Sequence, residues 1–311
     1  MTTLSTMRFG NGAGSIKRMD EVIKACKGPM NRIMVGSITK EPRVGNIGET
    51  YYFDQQKKWS MNSLGLPNIG MSEYERALPY MAQKAHEYGK ELWASVSGFT
   101  PQEYALMAVA CFKTGVDGVE INLSCPNVWG PGGRKIIPAL DWNLTYEIVA
   151  TIRGELGEHW GACRPRIALK LSPADDKDLI ERLTIVAANA GIGSLTIGNT
   201  LPDQERFREE DGRPALAFRA DESDQALKYK GGLAGSGVKK YNLAMVRAMR
   251  PLVPPQIRID AAGGIFDGED AMEYIKAGAS GFMCTTGYLE FGNGLFEPIL
   301  AKLANSLPEV A

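Results

Sequence analysis

The segment from Glu120 to Asn127 holds the residue types with the clearest chemistry in this sequence. It begins as a strand and breaks at Pro126, with Asn122 and Asn127 on either side of Cys125. An asparagine amide offers hydrogen-bond donors and acceptors, so this pair could read the alternating N–H and C=O edge of a pyrimidine ring. A deprotonated thiol could remove a proton from carbon. The alternative for Cys125 is a buried small apolar side chain, the common fate of a free cysteine.

A second asparagine-rich turn follows a short strand near residue 60. It reads Asn-Ser-Leu-Gly-Leu-Pro-Asn from Asn62 to Asn68. Its glycine and proline would let the backbone bend closely around a ligand. The alternative is an ordinary turn in which asparagine occupies tolerated positions.

Lys170 lies at the end of an apolar strand in the string Ile167-Ala-Leu-Lys-Leu-Ser-Pro173. A lysine that points into a barrel mouth is costly unless an anion meets it. A reduced flavin carries negative charge at N1, and a lysine there would stabilise that charge. The alternative is a lysine whose ammonium group reaches solvent.

Three glycine-rich stretches occur in the last third of the chain: Gly231–Gly237, Ala262–Gly264 and Thr285–Gly287. Each adjoins a predicted strand and precedes a helix. Exposed backbone N–H groups at helix starts bind phosphate, and glycine allows the close approach. A G-x-G-x-x-G fingerprint after the first strand is missing, which argues against a Rossmann fold.

Short apolar runs that suit buried strands alternate with helical patterns along the chain. The predicted strands are Arg32–Val35, Leu92–Val96, Gly118–Ile121, Ile167–Leu171, Ser194–Ile197, Ile257–Ile259 and Gly281–Cys284, with an eighth near Trp59–Met61. The predicted helices are Ser72–Tyr88, Pro101–Thr114, Leu140–Glu155, Lys177–Ala190, Val238–Met249, Gly268–Ala277 and Phe296–Ser306. Such repeats predict a parallel sheet, either closed as a barrel or open and doubly wound.

Two long loops, Pro126–Ala139 and Thr200–Gly237, follow predicted strand ends. Barrel enzymes place their chemistry on such loops, at the carboxyl ends of the strands. Helix starts are indicated by Ser72 and by Thr100, since both residue types are favoured N-caps. We treat residues 1–311 as one domain, because no linker or low-complexity tract interrupts them.

Composition limits the function. The chain has 311 residues and a formal net charge of −1, which argues against a general electrostatic grip on nucleic acid or on an acidic membrane. Its five cysteines are scattered and it has two histidines, so we expect no disulfide framework, no metal site and no iron–sulfur cluster. The N-terminal residues contain no long apolar run. We therefore expect a cytoplasmic protein without a membrane anchor.

These motifs together resemble the dihydroorotate dehydrogenase family in order and spacing. The resemblance extends from Asn11-Gly-Ala-Gly14 to Thr286, and its most specific parts are the two asparagine-rich segments. It implies an FMN enzyme on a (β/α)8 TIM barrel, with long loops at the carboxyl face, that oxidises dihydroorotate to orotate in pyrimidine biosynthesis. A cysteine at position 125 is similar to the soluble class 1 enzymes, whereas the membrane-bound class 2 enzymes carry serine there.

By motif match, the resemblance also implies roles for individual residues. Cys125 would be the base that takes the C5 proton, and Lys170 would lie near N1 and O2 of FMN. The implied substrate-binding residues are Asn62, Leu64, Gly65, Leu66, Asn122, Asn127, Asn199 and Thr200. The implied cofactor-binding residues are Ala13, Gly14, Ser97, Asn122, Lys170, Gly235, Gly263, Gly264, Thr285 and Thr286.

The sequence departs from the class 1 pattern near residue 36. Many class 1 enzymes have a lysine six residues before the Pro-Arg pair that here is Pro42-Arg43, and this chain has Gly36 at that position. Lys40 lies nearby in the sequence. This departure leaves a related flavin barrel that acts on another dihydropyrimidine as an alternative. The glycine-rich stretches alone would also fit a flavin-free phosphate-binding barrel of the aldolase type, in which Lys170 forms a Schiff base.

The partners are expected to be small molecules. The resemblance implies a homodimer by analogy with the class 1 enzymes. The residues do not specify the oxidant, which leaves fumarate, a quinone, oxygen, or NAD through a partner electron-transfer subunit.

Overall fold

Eight parallel strands close into a barrel in the computed structural model, which describes residues 3–125, 129–130, 133–222 and 224–307. In chain order the strands are β1 (Arg8–Asn11), β2 (Arg32–Ile38), β3 (Glu91–Val96), β4 (Gly118–Asn122), β5 (Ile167–Leu171), β6 (Ser194–Ile197), β7 (Arg258–Ala262) and β8 (Gly281–Cys284). β1 pairs with β8 on one side and β2 on the other, which closes the ring. The predicted TIM barrel is confirmed.

Helices cover the outside of the barrel and alternate with its strands. They are α1 (Met19–Cys26), α2 (Met71–Glu87), α3 (Pro101–Phe112), α4 (Trp142–Leu156), α5 (Lys177–Ala190), α6 (Ser236–Met249), α7 (Gly268–Lys276) and α8 (Phe296–Ser306), with short helices at Trp160–Cys163 and Thr286–Phe291. Each predicted helix begins and ends within two residues of an observed one. α1 was not predicted, because eight residues give little periodic signal.

The predicted eighth barrel strand was wrong. The segment Trp59–Asn62 is a strand, but it pairs antiparallel with Gly231–Gly235 in a separate four-stranded sheet. Its Met61 side chain is buried against Leu233 and other residues of a small second core. The missing barrel strand is β1, whose sequence Arg-Phe-Gly-Asn contains no apolar run to predict it.

The predicted loop Thr200–Gly237 is also not a simple loop. It contains the strands Leu201–Gln204, Ala217–Arg219 and Gly231–Gly235. The last of these joins the antiparallel sheet, and Ala217–Arg219 pairs with the strand Ile47–Glu49. This insertion and the segment 47–62 therefore form two small antiparallel sheets outside the barrel, one of four strands and one of two.

Helix starts follow local hydrogen bonding. The Thr100 side chain accepts a hydrogen bond from the Glu103 amide at 3.2 Å, so its predicted N-cap role is confirmed. Ser72 was predicted to cap α2, but the cap is Gly70, with φ of 82°, and Ser72 lies inside the helix. Gly191 ends α5 in the left-handed conformation, which glycine adopts without strain.

The barrel interior has polar and apolar layers. Because side chains alternate along a strand, Ile33 and Val35 of β2 face the helices, whereas Arg32 and Met34 face inward. The inward apolar residues are Met34, Trp93, Ala168, Ala262 and Met283.

Arg32 lies at the amino end of this interior. Its guanidinium group is 2.9 Å from the Asp260 carboxylate, 3.1 Å from Glu91 and 4.1 Å from the Trp93 ring centroid. Arg32 and Asp260 are both fully buried. A buried charge pair of this kind ties β2 to β7 across the barrel.

Three features can be judged from the described residues: a membrane-spanning helix, a metal site and a disulfide. No helix among them is long and apolar enough to cross a membrane. Within the same ranges, no three His, Cys, Asp or Glu side chains are grouped so that they could hold a metal ion. None of the five cysteines, all of which lie in the described ranges, forms a disulfide.

We predict that Arg32→Met destabilises the fold by about 3 kcal/mol, because it leaves the Asp260 carboxylate buried without its main counter-charge. The free energy of unfolding from denaturant titration measures this loss. Arg18→Met is the matched control, since Arg18 pairs with Asp20 on the exposed surface. This variant should leave the free energy of unfolding nearly unchanged. Equal stability of the wild type and Arg32→Met would contradict the importance of the buried pair.

Candidate active site

A cavity opens at the carboxyl ends of the barrel strands, and the space in and above it, including the solvent at its mouth, is about 1100 Å³. Most residues predicted for the site share its wall. They are Ala13, Gly14, Asn62, Leu64, Gly65, Leu66, Asn122, Cys125, Lys170, Asn199, Thr200, Gly235, Gly263, Gly264, Thr285 and Thr286. Segments far apart in the sequence meet here because the carboxyl ends of all eight parallel strands lie on one face of the barrel.

Two further residues predicted for the site are Asn127 and Ser97. Asn127 lies outside the described residues, so its role stays a prediction. Ser97 is fully buried behind the cavity wall, where its hydroxyl accepts a hydrogen bond from Lys135 at 2.9 Å and lies 3.5 Å from the Asn122 carbonyl. The fold thus gives Ser97 a supporting position under Asn122, and its predicted flavin contact stays a prediction.

Lys170 is buried, with 6% of its surface exposed, so the alternative of a lysine that reaches solvent does not hold. Its ammonium nitrogen is 3.8 Å from the carboxylate of Glu120, which is 1% exposed. Glu120 and Lys170 are inward residues of neighbouring strands β4 and β5, and the barrel brings them together. The anion that a buried lysine requires is thus supplied in part by the protein itself.

Hydrogen bonds hold two of the predicted amides. The Asn122 amide nitrogen donates to the Ser37 hydroxyl at 2.8 Å. The Asn199 amide nitrogen donates to the Ser124 hydroxyl at 2.7 Å and lies 3.4 Å from the Asn122 amide oxygen. Both amides therefore have defined orientations at the cavity wall.

Cys125 is partly exposed and lines the cavity, whereas the other four cysteines are buried. Burial lowers the pKa of Lys17 and of Arg43. The Glu21 carboxylate and then a negative charge at Cys125 oppose that change for Lys17, and a negative charge at Cys125 opposes it for Arg43. The same electrostatic attraction favours a thiolate at Cys125. This setting differs from that of a buried apolar cysteine and suits a base.

The glycines on the far side of the cavity have conformations that a side chain would not tolerate. Gly235 has φ of 63°, and a Cβ there would lie 2.3 Å from the Lys58 carbonyl oxygen. Gly264 has φ of 71°, and its Cβ would lie 2.5 Å from Lys239. Gly235 also caps α6, whose first backbone N–H groups therefore adjoin the cavity. Such a backbone can bind a phosphate group.

The residues present fit a polar ligand that carries a phosphate group. The Thr200 hydroxyl oxygen is buried and has no hydrogen-bond partner among the described residues. A buried hydroxyl of this kind is stabilised when a ligand supplies its partner. Together with the glycine backbone at one end and the buried ammonium of Lys170, it favours a polar, anionic ligand that extends across the cavity.

The sequence reading missed Lys17, which lines the cavity. The positions considered from the sequence were Gly36, where many class 1 enzymes have a lysine, and the nearby Lys40. Gly36 has φ of 120°, and a Cβ there would lie 2.4 Å from the Ser95 carbonyl oxygen. The Lys40 side chain is half exposed and lies near Glu41 outside the wall. The available signal for Lys17 was its position three residues after Gly14, in the segment assigned to the flavin face.

The buried residues Glu120 and Ser37 were also missed. Both are polar residues within buried strands. Their partners come from other strands, so local sequence does not reveal them.

Comparison with known proteins identifies the family. A sequence model of the family described as "Dihydroorotate dehydrogenase" matches residues 6–307. The chain is 32% identical over 308 residues to a "Probable dihydroorotate dehydrogenase A (fumarate)" of Enterococcus faecalis, with 95% of this chain and 86% of that protein covered. It is 28% identical over 284 residues to a "Dihydroorotate dehydrogenase B (NAD(+)), catalytic subunit" of Methanopyrus kandleri, with 90% and 82% covered.

A solved structure shares the fold. It is the crystal structure of DHODH in complex with ferulenol from Eimeria tenella, with a TM-score of 0.77 and 22% sequence identity. The match covers 96% of this chain and 80% of that chain. At this identity the likeness supports the barrel architecture alone.

We predict that iodoacetamide alkylates Cys125 well before the other cysteines. Burial raises the pKa of Cys111 to about 12 and also raises the pKa of Cys26 and Cys284, so these thiols stay protonated and enclosed. The rate should rise with pH, because the thiolate is the reactive form. Peptide mapping by mass spectrometry identifies the modified site.

Lys17→Met should slow this alkylation several-fold at a fixed pH below 8, because it removes a cation that favours the thiolate. Cys125→Ala is the control and should abolish the fast phase. Equal rates for the wild type and Lys17→Met would show that Lys17 does not act on the thiol.

Proposed function

The chain belongs to the dihydroorotate dehydrogenase family, and on that premise we propose that it uses FMN to oxidise dihydroorotate to orotate, with Cys125 as the base. Members of this family are flavin oxidoreductases of pyrimidine biosynthesis. The observation that carries the proposal is the meeting of Cys125, the amides of Asn122 and Asn199, and buried Lys170 in one cavity.

FMN is the flavin that we propose for this wall, because the glycines at one end of the cavity can receive a phosphate group. When bound, it accepts the hydride that leaves C6 of the substrate ring. Gly235, Gly264 and Thr286 would hold its phosphate group through backbone N–H groups and a hydroxyl. Lys170 would stabilise negative charge at N1 and O2 of the reduced ring.

The substrate ring carries alternating N–H and C=O groups and a carboxylate. The amides of Asn62, Asn122 and Asn199 offer matching donors and acceptors. Lys17, one of the basic side chains of the wall, would attract the carboxylate. Leu64 and Leu66, which also line the cavity, would exclude water from the reacting carbons.

Cys125 takes the proton. The reaction breaks two C–H bonds and forms the C5=C6 double bond. The C5 proton passes to the Cys125 sulfur, the C5–H electron pair becomes the new π bond, and the C6 hydrogen leaves with its electron pair as the hydride that the flavin would accept. Lys17 and Arg43 favour the thiolate that accepts this proton. The cysteine lies at the cavity wall and is partly exposed, so it can return the proton to solvent.

Family membership argues against a flavin-free aldolase-type barrel. A flavin barrel that acts on another dihydropyrimidine is the second candidate, and the absence of a side chain at Gly36 is the observation that favours it.

We predict that the purified protein is yellow and that anaerobic dihydroorotate bleaches its visible flavin band. Cys125→Ala should keep the flavin and lose most of the rate of bleaching, because no group takes the C5 proton. Cys125→Ser should lose less, since a hydroxyl can still relay a proton. Stopped-flow absorbance measures these rates. A yellow protein that binds orotate weakly and does not bleach would favour the second candidate.

We predict a bell-shaped dependence of kcat/KM on pH. The rising limb follows the thiol of Cys125, whose unperturbed pKa is about 8.5. The falling limb follows Lys17, because burial lowers its pKa and the loss of its charge at high pH weakens carboxylate binding. Lys17→Arg should remove the falling limb, since a guanidinium group stays charged. Steady-state kinetics from about pH 6 to about pH 10 tests this, and an unchanged falling limb in Lys17→Arg would assign it to another group.

A further inference from the structure

A continuous chain of buried hydrogen bonds runs from the cavity wall to Glu120. The Asn122 amide nitrogen lies 2.8 Å from the Ser37 hydroxyl, which lies 3.1 Å from the Ser95 hydroxyl, which in turn lies 2.9 Å from the Glu120 carboxylate. All four side chains are at most 4% exposed. We propose that Glu120 is a positioning residue that sets the orientation of the Asn122 amide, and so determines which ring edge the site accepts.

The Glu120 carboxylate determines which group donates in each hydrogen bond of this series. A carboxylate can only accept hydrogen bonds, so the Ser95 hydroxyl must donate to Glu120. Ser95 has one hydroxyl hydrogen, so its oxygen must accept from Ser37. The single hydroxyl hydrogen of Ser37 is used in that bond, and the Ser37 oxygen must therefore accept from Asn122.

This sequence of donors allows one orientation of the Asn122 amide. Its nitrogen must face Ser37, because the amide oxygen would meet a hydroxyl oxygen with no hydrogen to offer. The amide oxygen then faces the other side, where the Ser124 backbone N–H lies 3.3 Å away and the Asn199 amide nitrogen 3.4 Å away. The Ser124 backbone N–H can only donate, so it favours the same orientation from the other side. Without the carboxylate, both hydroxyls could reverse, and this long backbone hydrogen bond would be left to hold the amide.

The orientation extends to a second predicted ligand residue. The Asn199 amide nitrogen faces both the Asn122 oxygen and the Ser124 hydroxyl oxygen. Its own amide oxygen accepts from the Thr200 backbone N–H at 2.8 Å. The orientation that the Thr200 backbone N–H gives to Asn199 thus agrees with the one that Glu120, through Ser95 and Ser37, gives to Asn122.

The inference rests on the proposed function, because it concerns recognition of a pyrimidine ring. A ring such as orotate offers C=O and N–H groups in a set order. Replacement of one C=O by C–NH2 turns an acceptor into a donor, and a fixed amide would reject that ring. The site would then select for the oxo form of the ring through Glu120, which lies two residues before Asn122 on the same strand.

The test breaks the hydrogen-bond connection between Asn122 and Glu120 without a change in charge. Ser95→Ala disconnects Asn122 from Glu120 but leaves the contact between Glu120 and Lys170. Thr196→Val is the matched control, because Thr196 donates to the other carboxylate oxygen at 3.0 Å and does not lead to Asn122. Far-UV circular dichroism and bound FMN content verify that each holoenzyme is folded and loaded.

The first measurement is the Kd of orotate for the oxidised holoenzyme, from flavin absorbance. Ser95→Ala should raise the Kd of orotate about tenfold, the equivalent of one good hydrogen bond. It should also discriminate less than the wild type does between orotate and its 4-amino analogue. Thr196→Val should stay within about twofold. Ser37→Ala should match Ser95→Ala, and the double variant should lose no more than either single variant, because all three changes break one chain.

The second measurement distinguishes this inference from the proposed function. The side-chain amide signals of Asn122 in the nitrogen-15 NMR spectrum should shift and broaden in Ser95→Ala and remain in place in Thr196→Val. Unchanged signals together with an unchanged orotate Kd would overturn the inference. If the wild type fails to bind orotate but the signals shift as expected, the positioning role stands and the proposed substrate fails.

Discussion

The site depends on a carboxylate and an ammonium group that are enclosed in the same barrel. Glu120 and Lys170 are 1% and 6% exposed, and either charge alone would cost several kcal/mol to bury. Their 3.8 Å separation and the hydroxyls of Ser95 and Thr196 compensate for that cost. Because both charges belong to strands rather than loops, they form a rigid polar layer directly beneath the cavity.

The barrel and its connections supply different parts of the site. Neighbouring strands supply the polar layer, while the interior below it is filled by Trp93 and other apolar residues and by the pair of Arg32 with Asp260. The connections supply the wall: the segment that ends at Lys17, the turn after Asn62, and the glycines around Gly235. Rigid strands therefore hold the charges, and the backbone of the loops shapes the space around a ligand.

Sequence reasoning predicted the strands and helices with strong periodic signals and failed where the signal came from tertiary contacts. β1 reads Arg-Phe-Gly-Asn and is a barrel strand only because β2 and β8 bind it on either side. The strand Trp59–Asn62 has the apolar character of a barrel strand but belongs to the antiparallel sheet. Apolar content reports burial, and it does not report which sheet provides the burial.

The sequence by itself determined which segments come together at the candidate site. Asn122, Cys125, Lys170 and the late glycines could be assigned to one face, because the carboxyl ends of parallel strands in a barrel all lie together. Only the tertiary structure decided that Glu120 pairs with Lys170, that Lys17 rather than Lys40 lines the cavity, and that Ser97 lies behind the wall. Those contacts join residues from different strands and connections, so they follow from barrel closure and strand register, which no local pattern of residues encodes.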